Sequence, residues 1–143
     1  MFNLDPRLQQ DTHHLGDLPL SRVLLSNDAQ YPWFILVPRR DQVSELFDLD
    51  EQDRRQLWRE TELLAQRLST AFGADKINVA TLGNVVAQLH MHVIVRYRND
   101  AAWPAPVWGK HPAQSYSAEQ LADLRHRFNT LMAEDCSYVE AQA

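Results

Sequence analysis

The chain has 143 residues, a single cysteine, and a net charge of -5 from 14 Lys and Arg residues against 19 Asp and Glu residues. This length suits one domain with its own core, so we expect residues 1–143 to form a single domain. The negative charge disfavours nucleic acid as a partner, because most of the surface would repel a phosphate backbone.

The cysteine count and the apolar runs predict a cytoplasmic protein. Cys136 alone cannot form an intrachain disulfide, which is typical of a reducing compartment. The first twenty residues lack the long apolar core of a signal peptide. No apolar run approaches the about 20 residues that cross a bilayer, so we expect no membrane segment.

Two short β-prone runs are the first predicted elements. Val23 to Leu25 is followed by the turn signal Asn27-Asp28, and Trp33 to Val37 is followed by Pro38, which cannot donate a ladder hydrogen bond. The two runs together predict a hairpin.

A long helix is predicted next, between Asp50 and Gly73. Asp50 is a favourable N-cap, and Gly73 can adopt the left-handed conformation that ends many helices. Between them, residues recur at helical spacing and predict a buried stripe: Leu57, Thr61, Leu64, Ala65, Leu68 and Phe72.

The second half of the chain predicts two more strands and a second helix. Residues 76–83 and 85–97 are β-prone and are separated by a turn or bend at Gly83-Asn84. After a Trp- and Pro-rich loop, Ser117 and Gln120 form a capping box before a helix at about 117–133. We therefore predict an α+β fold with a mainly antiparallel sheet of about five strands, a long central helix and a C-terminal helix.

The stretch "QLHMHVIV", residues 88–95, contains two histidines in an otherwise apolar run. On a strand, successive side chains alternate between faces, so Gln88, His90 and His92 would share one face. Three interpretations are open. The row can be the solvated face of a sheet, or part of a metal site with a third ligand from His13, His14, His111, His126 or an acidic residue, or a nucleophilic centre.

Nucleophilic catalysis requires a neutral imidazole with one free lone pair. The ordinary pKa near 6.5 leaves the ring mostly uncharged at neutral pH, and a hydrogen bond from one nitrogen fixes which nitrogen is free to attack phosphorus. A second histidine can then act as a general acid or as a hydrogen-bond donor to phosphoryl oxygens, and a glutamine amide adds another donor.

Residues 83–96, "GNVVAQLHMHVIVR", resemble the signature of the histidine triad (HIT) family, in which three histidines alternate with apolar residues after a Gly and an amide residue. The segments "SNDAQYPWFILVPRR" and "AAWPAPVWG" resemble family blocks on either side. The resemblance covers about residues 18–109. The layout of the chain is similar to that of the bacterial members described as diadenosine-tetraphosphate hydrolase-like. This resemblance implies a homodimer that binds nucleotides.

The resemblance also implies roles for individual residues. His90 is expected to be the nucleophile that forms a nucleotidyl-histidine, and His92 to contact the phosphoryl group and the leaving oxygen. Gly83 and Asn84 are expected beside the phosphate. Asn27 or Asp28 is expected at the ribose.

Two positions depart from the family pattern. Gln88 replaces the first histidine of the triad, and Phe34 lies where many members have a further histidine. We therefore expect a nucleotide hydrolase or nucleotidyl transferase, with a non-catalytic nucleotide-binding module or a metal-dependent enzyme as alternatives. The scheme requires no protein-bound metal, although Mg²⁺ could enter with a polyphosphate substrate.

Overall fold

A six-stranded antiparallel sheet forms the centre of the computed structural model, which describes residues 1–135 and 137–142. Its strands are β1 (Thr12–Asp17), β2 (Ser21–Ser26), β3 (Trp33–Pro38), β4 (Lys76–Ala80), β5 (Met91–Arg96) and β6 (Val139–Glu140). Their order across the sheet is β4-β5-β3-β2-β1-β6. The predicted α+β class is confirmed, and the sheet has one strand more than the expected five. Cys136 lies outside the described residues.

The two long helices lie close to the predicted positions. They are α2 (Glu51–Phe72) and α3 (Ala118–Met132), preceded in the chain by the short α1 (Pro6–Asp11) and by a 3-10 turn at Leu46–Asp48. The Asp50 side chain accepts a hydrogen bond from the Asp53 N–H, and Gly73 is left-handed with φ of 58°. Both predicted helix ends are therefore confirmed.

The helices cover one face of the sheet, where most of the apolar core lies. Phe34 is fully buried on this face and stacks on Phe128, with their ring centroids 5.2 Å apart. Because neighbouring residues of a strand point to opposite faces, Trp33 and Ile35 point away from the helices. The face that carries Trp33 is the face that carries the histidines.

The predicted strand over residues 85–97 is wrong in its first half. β5 begins at Met91, which pairs with Leu36 of β3, and β4 ends at Ala80, which pairs with His92. β3 continues to Pro38, but its pairing with β5 stops at Leu36 and Met91, and residues 81–90 form a long connection instead of a tight turn. Gln88 and His90 therefore lie before the strand.

The N-terminal elements α1 and β1 were not predicted. Helix α1 has only six residues, which is too short for a periodic apolar pattern, although Asp5 as N-cap and Pro6 at the first position are start signals. Strand β1 is interrupted by an irregularity between His14 and Gly16. Within the described residues, every helix is too short or too polar to cross a bilayer.

Candidate active site

His90 and His92 lie side by side at the start of β5. Their ring centroids are 4.8 Å apart and the rings meet edge to face. His90 is 6% exposed and His92 is 5% exposed. The interpretation of this row as an ordinary solvated sheet face is therefore wrong, because both imidazoles are buried against other side chains.

A backbone hydrogen bond determines the tautomer of His90. Its Nδ1 lies 2.7 Å from the carbonyl oxygen of Gln88. A carbonyl oxygen only accepts hydrogen bonds, so Nδ1 must carry the proton. In the uncharged ring, Nε2 then keeps a free lone pair, which is the state that nucleophilic attack requires.

A tryptophan determines the tautomer of His92. The indole Nε1–H of Trp33 donates to His92 Nδ1 over 2.9 Å, and an indole nitrogen can only donate. Nδ1 is therefore unprotonated, and the neutral ring carries its proton on Nε2. Burial, with a smaller effect from neighbouring His90, lowers the pKa of His92 to about 3. His92 is thus a neutral donor at physiological pH and not an imidazolium acid.

We expect Trp33→Phe to raise the pKa of His92, because the indole N–H stabilises the neutral ring and opposes protonation of Nδ1. An NMR titration of the His92 ring measures this change. Trp108→Phe is the matched control, since Trp108 packs edge-on against His92 with ring centroids 4.9 Å apart. An unchanged His92 titration in Trp33→Phe would contradict the assignment.

The same pKa affects acid stability. Because the pKa of His92 in the folded protein, about 3, lies below the unfolded value near 6.5, unfolding takes up a proton between these pH values. The free energy of unfolding therefore falls as the pH falls through this window, by at most about 1.4 kcal/mol per pH unit from this group. Trp33→Phe should narrow this pH window from its acidic end, because a raised folded pKa lies closer to the unfolded value.

A small cavity of about 130 Å³ lies beside the two histidines. Gly83 and Asn84 line it together with the apolar side chains of Leu82, Val85, Val86 and Trp108. Gly83 has φ of 78°, a left-handed conformation that favours glycine and brings the backbone of the connection to the cavity. Gly83 and Asn84, the two residues predicted beside the phosphate, therefore lie beside the histidine pair.

Asn27 and Asp28 line a different and larger cavity of about 420 Å³. Trp33 lies at its wall and Trp108 is shared between the two cavities. The Asn27 side chain accepts a hydrogen bond from the Tyr116 N–H, and that of Asp28 accepts from the Gln30 N–H. These bonds hold the chain around the cavity. Asn27 and Asp28, which were predicted at the ribose, line one cavity and the histidines line the other, with Trp108 between them.

Gln88 and Phe34 do not join the histidines in the way that the sequence suggested. Both polar atoms of the Gln88 side chain bind the N-terminal segment, since Oε1 accepts from the Asp5 N–H and Nε2 donates to the Asn3 carbonyl. Phe34 lies on the helix face of the sheet. Position 34, where many family members are expected to have a further histidine, therefore faces away from His90 and His92, and Trp33 on the same strand contacts His92.

Trp33 is the site residue that the sequence analysis missed. The strict alternation along Trp33 to Val37 indicates that Phe34 and Trp33 face opposite sides, but sequence alone does not tell which side carries the histidines. The signal that was available is the indole N–H, which requires a hydrogen-bond partner when the ring is partly buried. Three further histidines are engaged elsewhere: His13 Nε2 binds Asn27, His14 Nε2 binds Asp17, and His111 Nε2 binds the Ala101 carbonyl.

The metal alternative finds no support in the arrangement of side chains. Among residues 1–135 and 137–142, no three His, Cys, Asp or Glu side chains are grouped so that they could hold a metal ion. The pair His90 and His92 therefore has no third protein ligand in the part of the chain that the structure describes.

A buried ion pair holds the loop that supplies Trp108. Arg96 is 1% exposed, and its guanidinium binds the Asp100 carboxylate at 2.8 Å and the Ala105 carbonyl at 2.8 Å. Asp100 also accepts hydrogen bonds from the backbone N–H of Ala102 and Trp103. Burial raises the pKa of Asp100, but these hydrogen bonds outweigh it and hold the pKa below its ordinary value.

Comparisons with known proteins agree with this geometry. The family model described as the HIT domain matches residues 7–99. A histidine triad protein from Marinobacter aquaeolei VT8 is 46% identical, with a TM-score of 0.91 over 94% of this chain and 98% of that one. A histidine triad protein from Bradyrhizobium japonicum is 43% identical, with a TM-score of 0.88 over 90% of this chain and 96% of that one.

A more distant solved structure shares the fold alone. The diadenosine triphosphate hydrolase of Plasmodium falciparum, solved in complex with Cyclomarin A, is 17% identical, with a TM-score of 0.65 over 94% of this chain and 84% of that one. A comparison with functionally curated proteins found no match. The family model and the two close structures are sufficient to assign the family: this chain belongs to the histidine triad (HIT) family.

Proposed function

We propose that this protein is a nucleotide hydrolase or nucleotidyl transferase that works through a covalent nucleotidyl-histidine on His90. The observation that carries the proposal is the 2.7 Å hydrogen bond from His90 Nδ1 to the Gln88 carbonyl. It leaves Nε2 as the free nucleophile beside a cavity that Gly83 and Asn84 also line. A buried neutral imidazole with a fixed tautomer suits attack on phosphorus.

The reaction has two balanced steps. In the first, the Nε2 lone pair of His90 forms a bond to the α-phosphorus, and the bond to the leaving group breaks with its electron pair. When the leaving group is an amine, it takes up one proton from solvent. In the second, water attacks the phosphorus and the bond from phosphorus to Nε2 breaks. The proton that water loses to solvent balances the proton that an amine leaving group took up in the first step.

His92 assists as a hydrogen-bond donor. Since Trp33 holds its Nδ1 as an acceptor, the Nε2–H of His92 is the group that can donate to a phosphoryl oxygen. Loss of that proton would leave an imidazolate, so His92 does not protonate the leaving group. Of the two roles open to the second histidine, hydrogen-bond donation is the one that the pKa of about 3 supports.

The charges around the site favour a substrate with a single phosphoryl group. Among the described residues that line the two cavities there is no lysine or arginine, and Asp11 and Asp28 line the larger one. A dinucleoside polyphosphate would bring several negative charges without a cationic partner there. We therefore favour a nucleoside phosphoramidate over diadenosine tetraphosphate; Mg²⁺ would be needed only to balance the charge of a polyphosphate.

Intact-protein mass spectrometry after brief mixing tests the proposed function. Adenosine phosphoramidate should give a transient mass increase of one AMP, and peptide mapping should locate it on the peptide that carries His90. Diadenosine tetraphosphate should give less adduct at equal concentration. Nucleotide binding without adduct or AMP release from either compound would instead favour the non-catalytic binding module.

We also propose that the protein forms a homodimer through β4. This strand ends the order of the described sheet, so one of its edges has no strand beside it. Val79 is 41% exposed on it, and Leu82 and Val85 are exposed just beyond its end. An uncovered edge with apolar side chains favours pairing with another strand, and a second copy related by a two-fold axis supplies one.

Light scattering during size-exclusion chromatography tests the dimer. We expect a mass twice the 16.6 kDa of the chain, and about half of that mass for Val79→Lys, because a charge at the edge disfavours strand pairing. Val139→Lys is the matched control, since Val139 is 64% exposed on β6 at the other edge. A monomeric wild-type protein at all concentrations would refute this proposal.

A further inference from the structure

The chain before β5 approaches His90 without the support of a strand ladder. Residues 81–90 have no strand pairing, yet the Gln88 carbonyl must be held in place to bind His90 Nδ1. One anchor is the hydrogen bond from the Leu89 N–H to the Val43 carbonyl, at 3.0 Å. The other is the side chain of Gln88 itself.

The side chain of Gln88 binds the N-terminal arm, which we define as Met1 to Asp5. Its Oε1 accepts from the Asp5 N–H at 2.8 Å, and its Nε2 donates to the Asn3 carbonyl at 2.9 Å. A glutamine amide, with one acceptor and one donor group, satisfies both backbone partners at once. The two bonds join the arm to Gln88, two residues before His90.

The arm is itself held on the sheet by apolar contacts. Phe2 and Leu4 pack against a small buried cluster: Leu8, Leu24, Ile35 and Val37. Val86 packs on the same cluster and also lines the histidine cavity. The arm is therefore a packed part of the wall beside the site, and it gives Gln88 a fixed point.

We propose that Gln88 is a positioning residue. Its side chain binds the N-terminal arm, which keeps its own backbone carbonyl in place, and that carbonyl holds His90 in its reactive tautomer. Glutamine at this position is then a working part of the site rather than a lost catalytic histidine. The inference rests on the proposed function of His90 as the nucleophile. It makes the backbone of the N-terminal arm, far from His90 in sequence, a support for the chain before β5.

Two kinds of variant remove the anchor. Gln88→Met keeps the length of the side chain and removes both hydrogen bonds. Asp5→Pro removes the N–H that binds Gln88, and the φ of -53° at Asp5 suits proline. Asp5→Ala is the matched control, because both Asp5 variants lose the side chain that caps Arg7 N–H, but alanine keeps its own N–H.

The readouts are the imidazole ¹⁵N shifts of His90 in the substrate-free, full-length protein, and kcat and KM with adenosine phosphoramidate. We expect Gln88→Met and Asp5→Pro to give a mixed His90 tautomer signal and to lower kcat by about 10- to 100-fold with little change in KM, since small misplacements cost this much. Asp5→Ala should keep the wild-type signal and a rate within about twofold.

A folded Gln88→Met protein with the wild-type His90 signal and wild-type kcat would overturn the inference. If Gln88→Met does not fold, the comparison of Asp5→Pro with Asp5→Ala decides in the same way. If the wild type shows no turnover, the proposed function fails, while the His90 shifts still determine whether the arm controls the tautomer.

Discussion

Replacing His90 by alanine is expected to abolish the nucleotidyl adduct and to lower turnover by at least about 10³-fold. The variant keeps His92, Gly83 and Asn84, so substrate binding should change much less than kcat. The physical reason is that His90 Nε2 is the one imidazole lone pair fixed at the cavity, since the other ring presents an N–H there. Single-turnover kinetics of AMP release from adenosine phosphoramidate measure the effect.

His126→Ala is the matched control for this variant. His126 is exposed on α3, which packs on the opposite face of the sheet, so its loss should leave turnover within about twofold of the wild type. A folded His90→Ala protein whose turnover stays within about tenfold of the wild type would refute His90 as the nucleophile.

The largest expected effect on stability comes from Arg96→Met. This change leaves the Asp100 carboxylate, 4% exposed, without its cationic partner. Removing one member of a buried ion pair typically costs about 3–5 kcal/mol, and we expect a loss of that size in the free energy of unfolding at pH 7. Chemical denaturation measures it. Trp108 should also lose its fixed position, because Arg96 no longer holds the Ala105 carbonyl.

The pH dependence identifies the cause of that loss. In the wild type, the lowered pKa of Asp100 contributes stability above its ordinary value near 3.8, and the contribution is lost as the pH falls through the folded value. In Arg96→Met, burial without the guanidinium should raise the pKa of Asp100. As the pH falls, Asp100 is then protonated at a higher pH than in the wild type, which removes the uncompensated charge. The difference between the two proteins should therefore be smaller at pH 4 than at pH 7.

A double variant separates the ion pair from simple packing. Arg96→Met combined with Asp100→Asn removes the uncompensated charge and should recover part of the lost stability, because the amide oxygen still accepts backbone hydrogen bonds. Equal losses in the single and double variants would show that the charge on Asp100 is not the cause.

Local chemistry in the sequence predicted those elements whose ends and periodicity are set by neighbouring residues. Asp50 and Gly73 bound the long helix because a carboxylate cap and a left-handed glycine act on adjacent backbone groups. The strands that contain Val23 to Leu25 and Trp33 to Val37 pair as expected. The short α1 escaped prediction because six residues give too little helical periodicity, and β1 (THHLGD) because Leu15 is its one large apolar residue.

The candidate nucleophile was also accessible from sequence, because His90 and His92 are two residues apart and a strand-like backbone places alternate side chains together. The sheet face on which Phe34 lies could not be predicted, for the complementary reason. Which face of a strand points to the site depends on register with a strand almost sixty residues away, as in the pairing of Ile35 with His92.

The sequence by itself therefore determined the fold class, the family resemblance and the histidine pair, all of which depend on spacing along the chain. Tertiary structure alone decided the protonation states that make the pair chemically distinct. The Trp33 indole leaves the proton of the neutral His92 ring on Nε2, and the Gln88 carbonyl leaves Nε2 of the neutral His90 ring with a free lone pair. Such assignments depend on the burial and on the hydrogen-bond partner of each ring, and the partner of His92 comes from a strand almost sixty residues away.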